Sequence, residues 1–535
     1  MPWYNITMID SQEWTNMDLE LKMFVGYLRN IRELCDRLEI PYEKIEDVPM
    51  ETVILKAWRR WGTDTGSHFF GAFSIAVFDK RNGTLYCIRD QLGMEQLYYC
   101  ISAQGNLLYA SDIETIRDDP QYVPSINREA LQLYVMFGYP AGEQTLYQGI
   151  KKLPPGCCLI FSGAAVHIRA YFSPRFSPRY DITEDYFCDL IEETAGRLIE
   201  EDLSVIGSRS VVSFLSGGVD SSWLLALCGA DKAIGIGYEE GYADETGYAA
   251  GTASVLGREF KKETITPQAF FDAVPELVRG LELPLADASA PAFFLGCQAA
   301  SRKCSLCYSG EGPDEFFAGY RLHRRAQALS VDGGSPYFGC FGLMSEEAAV
   351  CLLGYDQSRF HGADLTSRIN KETVGDEHLS RILAIDIGLF FEGDILLNLT
   401  RSAKANGLNI RAPFSDPRMF QVSSIIPSEL KLKDQCGKYI FRKAAARKIP
   451  YETAFREKTG FAVPVSEWMR IDAIRSGIES VIFSSCSELF FDQALLHKWW
   501  QGFLSGNKVL WNMLYGVYVF LIWYDRCFIM DNISK

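Results

Sequence analysis

Short apolar runs broken by turn residues fill about the first 170 positions of the chain. The run from Phe69 to Phe78 and the run from Thr84 to Ile88 flank the turn Asp79-Lys-Arg-Asn-Gly83. This spacing predicts a strand, a tight turn and a second strand. Asn106–Ala110 and Cys158–Phe161 predict further strands with Gly or Pro close by. Two prolines within five positions mark Ser173–Arg179 as a linker. The chain therefore divides into residues 1–175 and 176–535. Beyond the linker, the apolar strand Ser210–Leu215 leads through a Gly turn into a helix over Ser221–Gly229. A strand at Ala233–Gly237 and a helix at Asp244–Leu256 follow. Such alternation predicts βαβ units and a parallel sheet. From about residue 370 helical spacing prevails. The long apolar stretch Val509–Ile529 contains Asn512, Asp525 and Arg526, so it predicts a buried helix and no bilayer span.

Composition narrows the function classes. The 535 residues carry a formal net charge of −15, which disfavours nucleic acid as the main partner. Two short basic runs, Arg321–Arg325 and Arg442–Lys448, fit solvated helix faces. No apolar signal segment opens the chain, so the 15 cysteines are expected to be reduced thiols in a cytoplasmic protein. Cys304 and Cys307 form a lone CxxC, expected as buried strand residues, and the six histidines show no zinc spacing.

The most informative stretch is Ser216-Gly-Gly-Val-Asp-Ser-Ser222, directly after the strand that ends at Leu215. Ligands of open α/β sheets bind at the carboxyl ends of strands. A helix start there offers unpaired N–H groups to a phosphate. Gly217 and Gly218 let the backbone approach an anion, and Ser216, Ser221 and Ser222 add hydroxyl donors. Asp220 makes sense beside phosphate only with magnesium between them. No lysine follows the second glycine, so this is not a Walker loop. The run resembles the pyrophosphate-binding PP-loop of ATP pyrophosphatases.

About a hundred residues later stands Ser309-Gly-Glu-Gly-Pro-Asp-Glu-Phe-Phe-Ala-Gly-Tyr320. With the PP-loop it resembles asparagine synthetases, whose pattern here is SGEGxDExFxGY. Pro284–Ala290, Gly407–Asp416 and Arg456–Phe461 agree in order with three further family segments. The resemblance implies ATP as cosubstrate, with Leu215 to Gly218, Asp220 to Ser222, Ser309 and Gly310 binding its pyrophosphate. It implies Mg2+ on Asp220 and Asp314, Lys458 as the cation that offsets charge in the transition states, and Glu311 near the arriving amine. Two departures, Asn409 for a family glutamate and Thr400 for a family acid, count against aspartate as the acyl substrate.

The front part resembles the glutaminase domain of the same family. Arg89–Tyr99 is similar to RDxxGxxPLYY, and Val25-Gly-Tyr-Leu-Arg-Asn30 falls where working members read NGEIYN. Pro2 follows Met1 where the family has its cysteine nucleophile, and Val25 and Tyr27 replace the oxyanion asparagine and the glutamine-binding glutamate. The expected fold class is thus α/β plus a β-rich domain. A degenerate Ntn-hydrolase-like domain precedes an adenine nucleotide α hydrolase-like PP-loop synthetase domain with a helical C-terminus. The expected function is an ATP-dependent carbon–nitrogen ligase without glutaminase activity. Within the family a shortened front domain resembles lasso-peptide cyclases, which implies a precursor peptide as substrate and a leader-peptide-binding protein and leader protease as partners. An ammonia-dependent asparagine synthetase acting on a small carboxylate, and a β-lactam synthetase-like cyclase, stay open as alternatives. No membrane is expected among the partners.

Overall fold

The structure, a computed structural model, describes residues 18–207, 210–239, 244–329, 342–354, 377–457 and 463–529. The front unit is built on an antiparallel sheet in the order Leu19–Leu28, Gly71–Asp79, Thr84–Arg89, Cys157–Ser162, Ala165–Ala170. Eight of the nine residues of Gly71–Asp79 are buried, because both faces of this strand are covered. The period of two sorts them. Phe73, Ile75 and Val77 pack with Ile31, Leu34, Val53 and Ile54 from the helices Ile31–Arg37 and Met50–Trp61. Ala76 faces the other way, into a core shared with Leu97 and Tyr99 next to a second, three-stranded sheet. The turn at Asp79–Gly83 is as expected: Gly83 N–H donates to the Asp79 carbonyl at 2.9 Å.

The architecture changes between Ala170 and Glu184. The connecting segment has no regular structure, yet it is fixed to the rear unit. Ser177 and Arg179 donate backbone N–H groups to Ser424 and Ile425, and Phe176 is buried beside Phe420.

The rear unit holds a five-stranded sheet in the order Glu259–Ile265, Lys232–Tyr238, Val212–Phe214, Leu306–Tyr308, Asn409–Arg411, with every neighbouring pair parallel. In chain order this is 3-2-1-4-5, a doubly wound arrangement whose order reverses between Val212–Phe214 and Leu306–Tyr308. The first of these is shorter than the strand expected at Ser210–Leu215, since the turn takes over after Phe214. The helix after it runs Val219–Cys228 and ends at Gly229 in the left-handed conformation, a common helix stop. Its Trp223 is fully buried against Phe414 and Phe441, which seats the helix against the turn Pro413–Ser415 and the helix Tyr439–Ala445. Cys307 is buried on its strand, whereas Cys304 lies before it and is half-buried.

The C-terminal stretch forms the helix Leu510–Trp523, continued by wider, π-type turns over Tyr524–Ile529. It is buried, and it ties the two units together: Tyr134 of the front unit donates to the Gly516 carbonyl at 2.8 Å. Among the described residues no helix is long and apolar enough to cross a membrane.

Candidate nucleotide site

A cleft of about 680 Å³ opens where the sheet order reverses, a volume within the range of small-molecule sites. The parallel pairing of Val212 with Cys307 and Ser213 with Tyr308 brings the two following loops side by side. The first loop closes on itself: Ser221 Oγ accepts from Ser216 N–H at 3.1 Å and lies 3.0 Å from Ser216 Oγ. The second loop touches the first, and a side chain at Gly310 would stand 3.0 Å from the Ser221 nitrogen. Gly217 has a φ of +77°, and a Cβ there would meet the Ala249 nitrogen at 2.7 Å. Both glycines are therefore demanded by close backbone approach.

The floor of the cleft is charged. Lys438 Nζ lies 2.6 Å from Asp220 Oδ2 and 2.8 Å from Asp314 Oδ1, so one ammonium bridges the carboxylates of the two loops. Lys438 is fully buried and stands in the left-handed region at φ 56°, with Asp434 and Gln435 of the preceding turn also at positive φ. Such strain in non-glycine residues gathers at ligand-binding places. Here the backbone N–H of Lys438, bonded to the Phe317 carbonyl at 3.0 Å, helps hold it. Asp220 Oδ1 is buried without a hydrogen bond. An oxygen left open beside a second carboxylate suits a hard cation such as magnesium, which takes one or two protein carboxylates and completes its shell with phosphate and water. Glu311 lines the cleft and accepts from Ser309 Oγ at 3.3 Å. Behind it, burial and the neighbouring charge of Asp314 push the Glu315 carboxyl well above its usual range, and Tyr320 donates to it at 2.5 Å.

The asparagine synthase family model matches residues 202–525, and a glutamine amidotransferase domain model matches residues 11–172. The chain belongs to the asparagine synthase family. Asparagine synthetase (glutamine-hydrolyzing) 1 of Bacillus subtilis is 26% identical over 547 residues, covering 94% of this chain and 85% of that protein. A putative asparagine synthetase (glutamine-hydrolyzing) of Mycobacterium bovis is also 26% identical, covering 95% and 84%. Asparagine synthetase (glutamine-hydrolyzing) 3 of Bacillus subtilis is 25% identical, covering 88% and 81%.

In this asparagine synthase family member, Leu215, Ser216, Gly218, Asp220, Ser221, Ser309, Gly310, Glu311 and Asp314 all line one cleft. Two residues expected there stand apart. Gly217 shapes the turn from behind, and Ser222 is fully buried beneath the loop because the helix turns its side chain inward. Lys458 lies outside the described residues, as do Gly460 and Phe461. Asn409 and Thr400 do not line the cleft: Asn409 donates to the Ser305 carbonyl at 3.0 Å and Thr400 to the Leu396 carbonyl at 2.8 Å. Their departure from the family residues therefore says less about the acyl substrate than the sequence implied. Arg442 is not on a solvated face either. It is buried and donates to the Gly437, Ala454 and Arg456 carbonyls, tying the turn at Gly437 to the end of the helix Tyr451–Phe455. Sequence reading missed Lys438, whose signal was a lysine directly after the Gly437 turn and before the helix Tyr439–Ala445.

Proposed function

We propose that this chain is an ATP-dependent amide-bond-forming ligase that cleaves ATP to AMP and pyrophosphate and closes a macrolactam on a lasso-type precursor peptide. The observation that carries the ligase reading is the pair of loops at the sheet reversal, with Asp220 and Asp314 joined at Lys438. A carboxylate oxygen attacks the α-phosphorus of ATP, the α–β bridge bond breaks, and an acyl-adenylate and pyrophosphate result. An amine then attacks the acyl carbon, loses its proton and releases AMP. Asp220 and Asp314 would hold Mg2+, which supplies charge screening on the phosphates. The N–H groups at the start of the helix Val219–Cys228 and the Ser216 and Ser221 hydroxyls orient the departing pyrophosphate. Lys438 keeps the two carboxylates together before ATP binds and stands ready to meet a phosphate oxygen. Lys458 is assigned the role of a cation at the charge that builds on leaving group and tetrahedral centre.

The cyclase reading rests on the front unit. The strand Leu19–Leu28 carries Val25 and Tyr27, which the motif resemblance sets where a glutaminase needs an asparagine and a glutamate. The Tyr27 ring is filled from above by the Arg411 guanidinium, 3.3 Å from its centroid, and Arg29 donates to its hydroxyl at 3.3 Å. No glutamine hydrolysis is expected with Tyr27 held in this way, and the amine then belongs to the substrate itself. The off-cleft positions of Asn409 and Thr400 favour one second reading, amidation of a small carboxylate such as aspartate by free ammonia. Mass spectrometry separates the two. A peptide with a free N-terminal amine and an internal Asp or Glu, incubated with enzyme and MgATP, loses one water on ring closure. An unchanged peptide, with ammonia-dependent asparagine formation instead, replaces the cyclase reading by the second.

A further inference from the structure

The front unit reaches the synthetase through a buried triad of charges. Arg89, fully buried, donates to Glu95 O, Leu153 O, Gly93 O and Gln96 Oε1 within its own unit, which fixes the guanidinium rigidly. Its Nη2 also reaches Glu392 Oε1 of the rear unit at 2.8 Å. Lys152 Nζ, held by the Pro140 carbonyl, takes the other carboxylate oxygen, Glu392 Oε2, at 2.8 Å. Both oxygens of one rear-unit carboxylate are thus held by two front-unit cations. The fit is tight, since a side chain on Gly93 would stand 3.0 Å from Glu392 Cγ.

Glu392 sits in the middle of Ile387–Leu396, a helical segment wound with wider, π-type turns, which are frequent at functional places because they re-aim side chains. The same segment presents Phe390 and Ile395 to the cleft. It also carries the buried Asp394, whose carboxyl is raised well above its usual range by burial and by the charge of Asp287 of the cleft wall. Front-unit residue Tyr139 packs on Phe390 from behind, with ring centroids 6.3 Å apart.

We propose that the front unit acts as a positioning scaffold: Arg89 and Lys152 grip Glu392 and thereby set the placement of the segment Ile387–Leu396 that walls the cleft. Glu392 is a positioning residue and touches no reacting atom. This accounts for an extensive front unit that is proposed to hydrolyse nothing, and its kinetic arm rests on the proposed ligase activity. A shift of about 1 Å in such a wall costs up to roughly 10²-fold in rate with little effect on a distant binding site.

Glu392→Asp keeps the charge and shortens the reach by one methylene. In the full chain, hydrogen–deuterium exchange of residues 387–399 is expected to quicken in this variant, while residues 216–222 exchange as in wild type. Turnover to AMP is expected to fall roughly 10-fold or more with the KM for ATP unchanged. Arg89→Met should give the same local pattern. Should it not fold, Arg89→Met/Lys152→Met/Glu392→Met removes the unpaired charge and carries the same exchange test. Unchanged exchange over 387–399 in the folded variants overturns the proposal. So does an increase in Glu392→Asp that is spread evenly over the whole chain. A wild-type enzyme that makes no AMP sinks the ligase reading and leaves the exchange result to judge the scaffold.

Discussion

At the cleft, Asp220 shares one carboxylate oxygen with Lys438 and keeps the other, Oδ1, without a hydrogen bond. At the seam between the units, Glu392 has both oxygens bound by cations, and Arg89 meets five acceptors. Both places are buried and charged. They differ in whether the polar groups are used up by the protein. A buried carboxylate left part-satisfied costs stability and makes sense when a ligand completes it. A fully satisfied cluster fixes geometry and has nothing left to offer a ligand. The same contrast separates Tyr27, whose ring is covered by Arg411, from the loops at the sheet reversal.

Substitutions at the two places should therefore fail in different ways. The largest effect is expected at the cleft. Asp314→Ala should drop AMP formation below about a thousandth of the wild-type rate and weaken MgATP binding by calorimetry, while urea unfolding changes little. Lys458→Ala should lower the rate about 10²–10³-fold with ATP affinity nearly kept, because its proposed role is confined to the transition states. Retention of more than roughly a tenth of the rate would remove that lysine from the account.

At the seam the order reverses. Arg89→Met leaves Glu392 with one cation and should destabilise the chain by about 3–5 kcal/mol in urea unfolding, with MgATP affinity maintained. A smaller, pH-dependent effect belongs to Asp394. Burial, then the charge of Asp287, holds its carboxyl far above the usual range, so the folded chain keeps a proton that the unfolded chain releases above about pH 4. Stability from this group is present below that pH and falls as pH rises toward the folded value. Asp394→Asn keeps the shape of the side chain and has no proton to lose. Its unfolding midpoint should match wild type near pH 4 and exceed it increasingly toward pH 8. A constant difference across that range would contradict the assignment. The exposed pair Lys261–Glu263 serves as the lower bound, and Glu263→Gln should cost no more than about 0.5 kcal/mol.

The sequence made the PP-loop legible because local constraints coincide there: an apolar strand, paired glycines and a helix start leave one arrangement. The second motif was legible for the same reason, and the parallel pairing of adjacent strands explains why motifs about a hundred residues apart share a cleft. Lys438 was not legible. Its backbone is left-handed, and its two partners lie 218 and 124 positions away in sequence, so a lysine after Gly437 announces a turn and not a pair of carboxylates. Arg89 stood inside a recognised motif, yet its partner Glu392 is 303 residues distant, and no periodicity links them. Within the run Arg442–Lys448, Arg447 and Lys448 are exposed as expected, whereas Arg442 is buried where the carbonyls of Ala454 and Arg456 are placed. The C-terminal stretch read correctly as buried helix because its apolar residues occupy every face.

Which phosphate bond of ATP is broken decides between an acyl-adenylate and any other activation. Full-length enzyme turning over its amide-forming substrate with MgATP, followed by chromatographic separation of the nucleotides, measures this directly. AMP and pyrophosphate in equal amounts, matching the amide formed, are the predicted products. ADP and inorganic phosphate in their place would contradict the acyl-adenylate and, with it, the reading of Asp220, Asp314 and the loops that carry them.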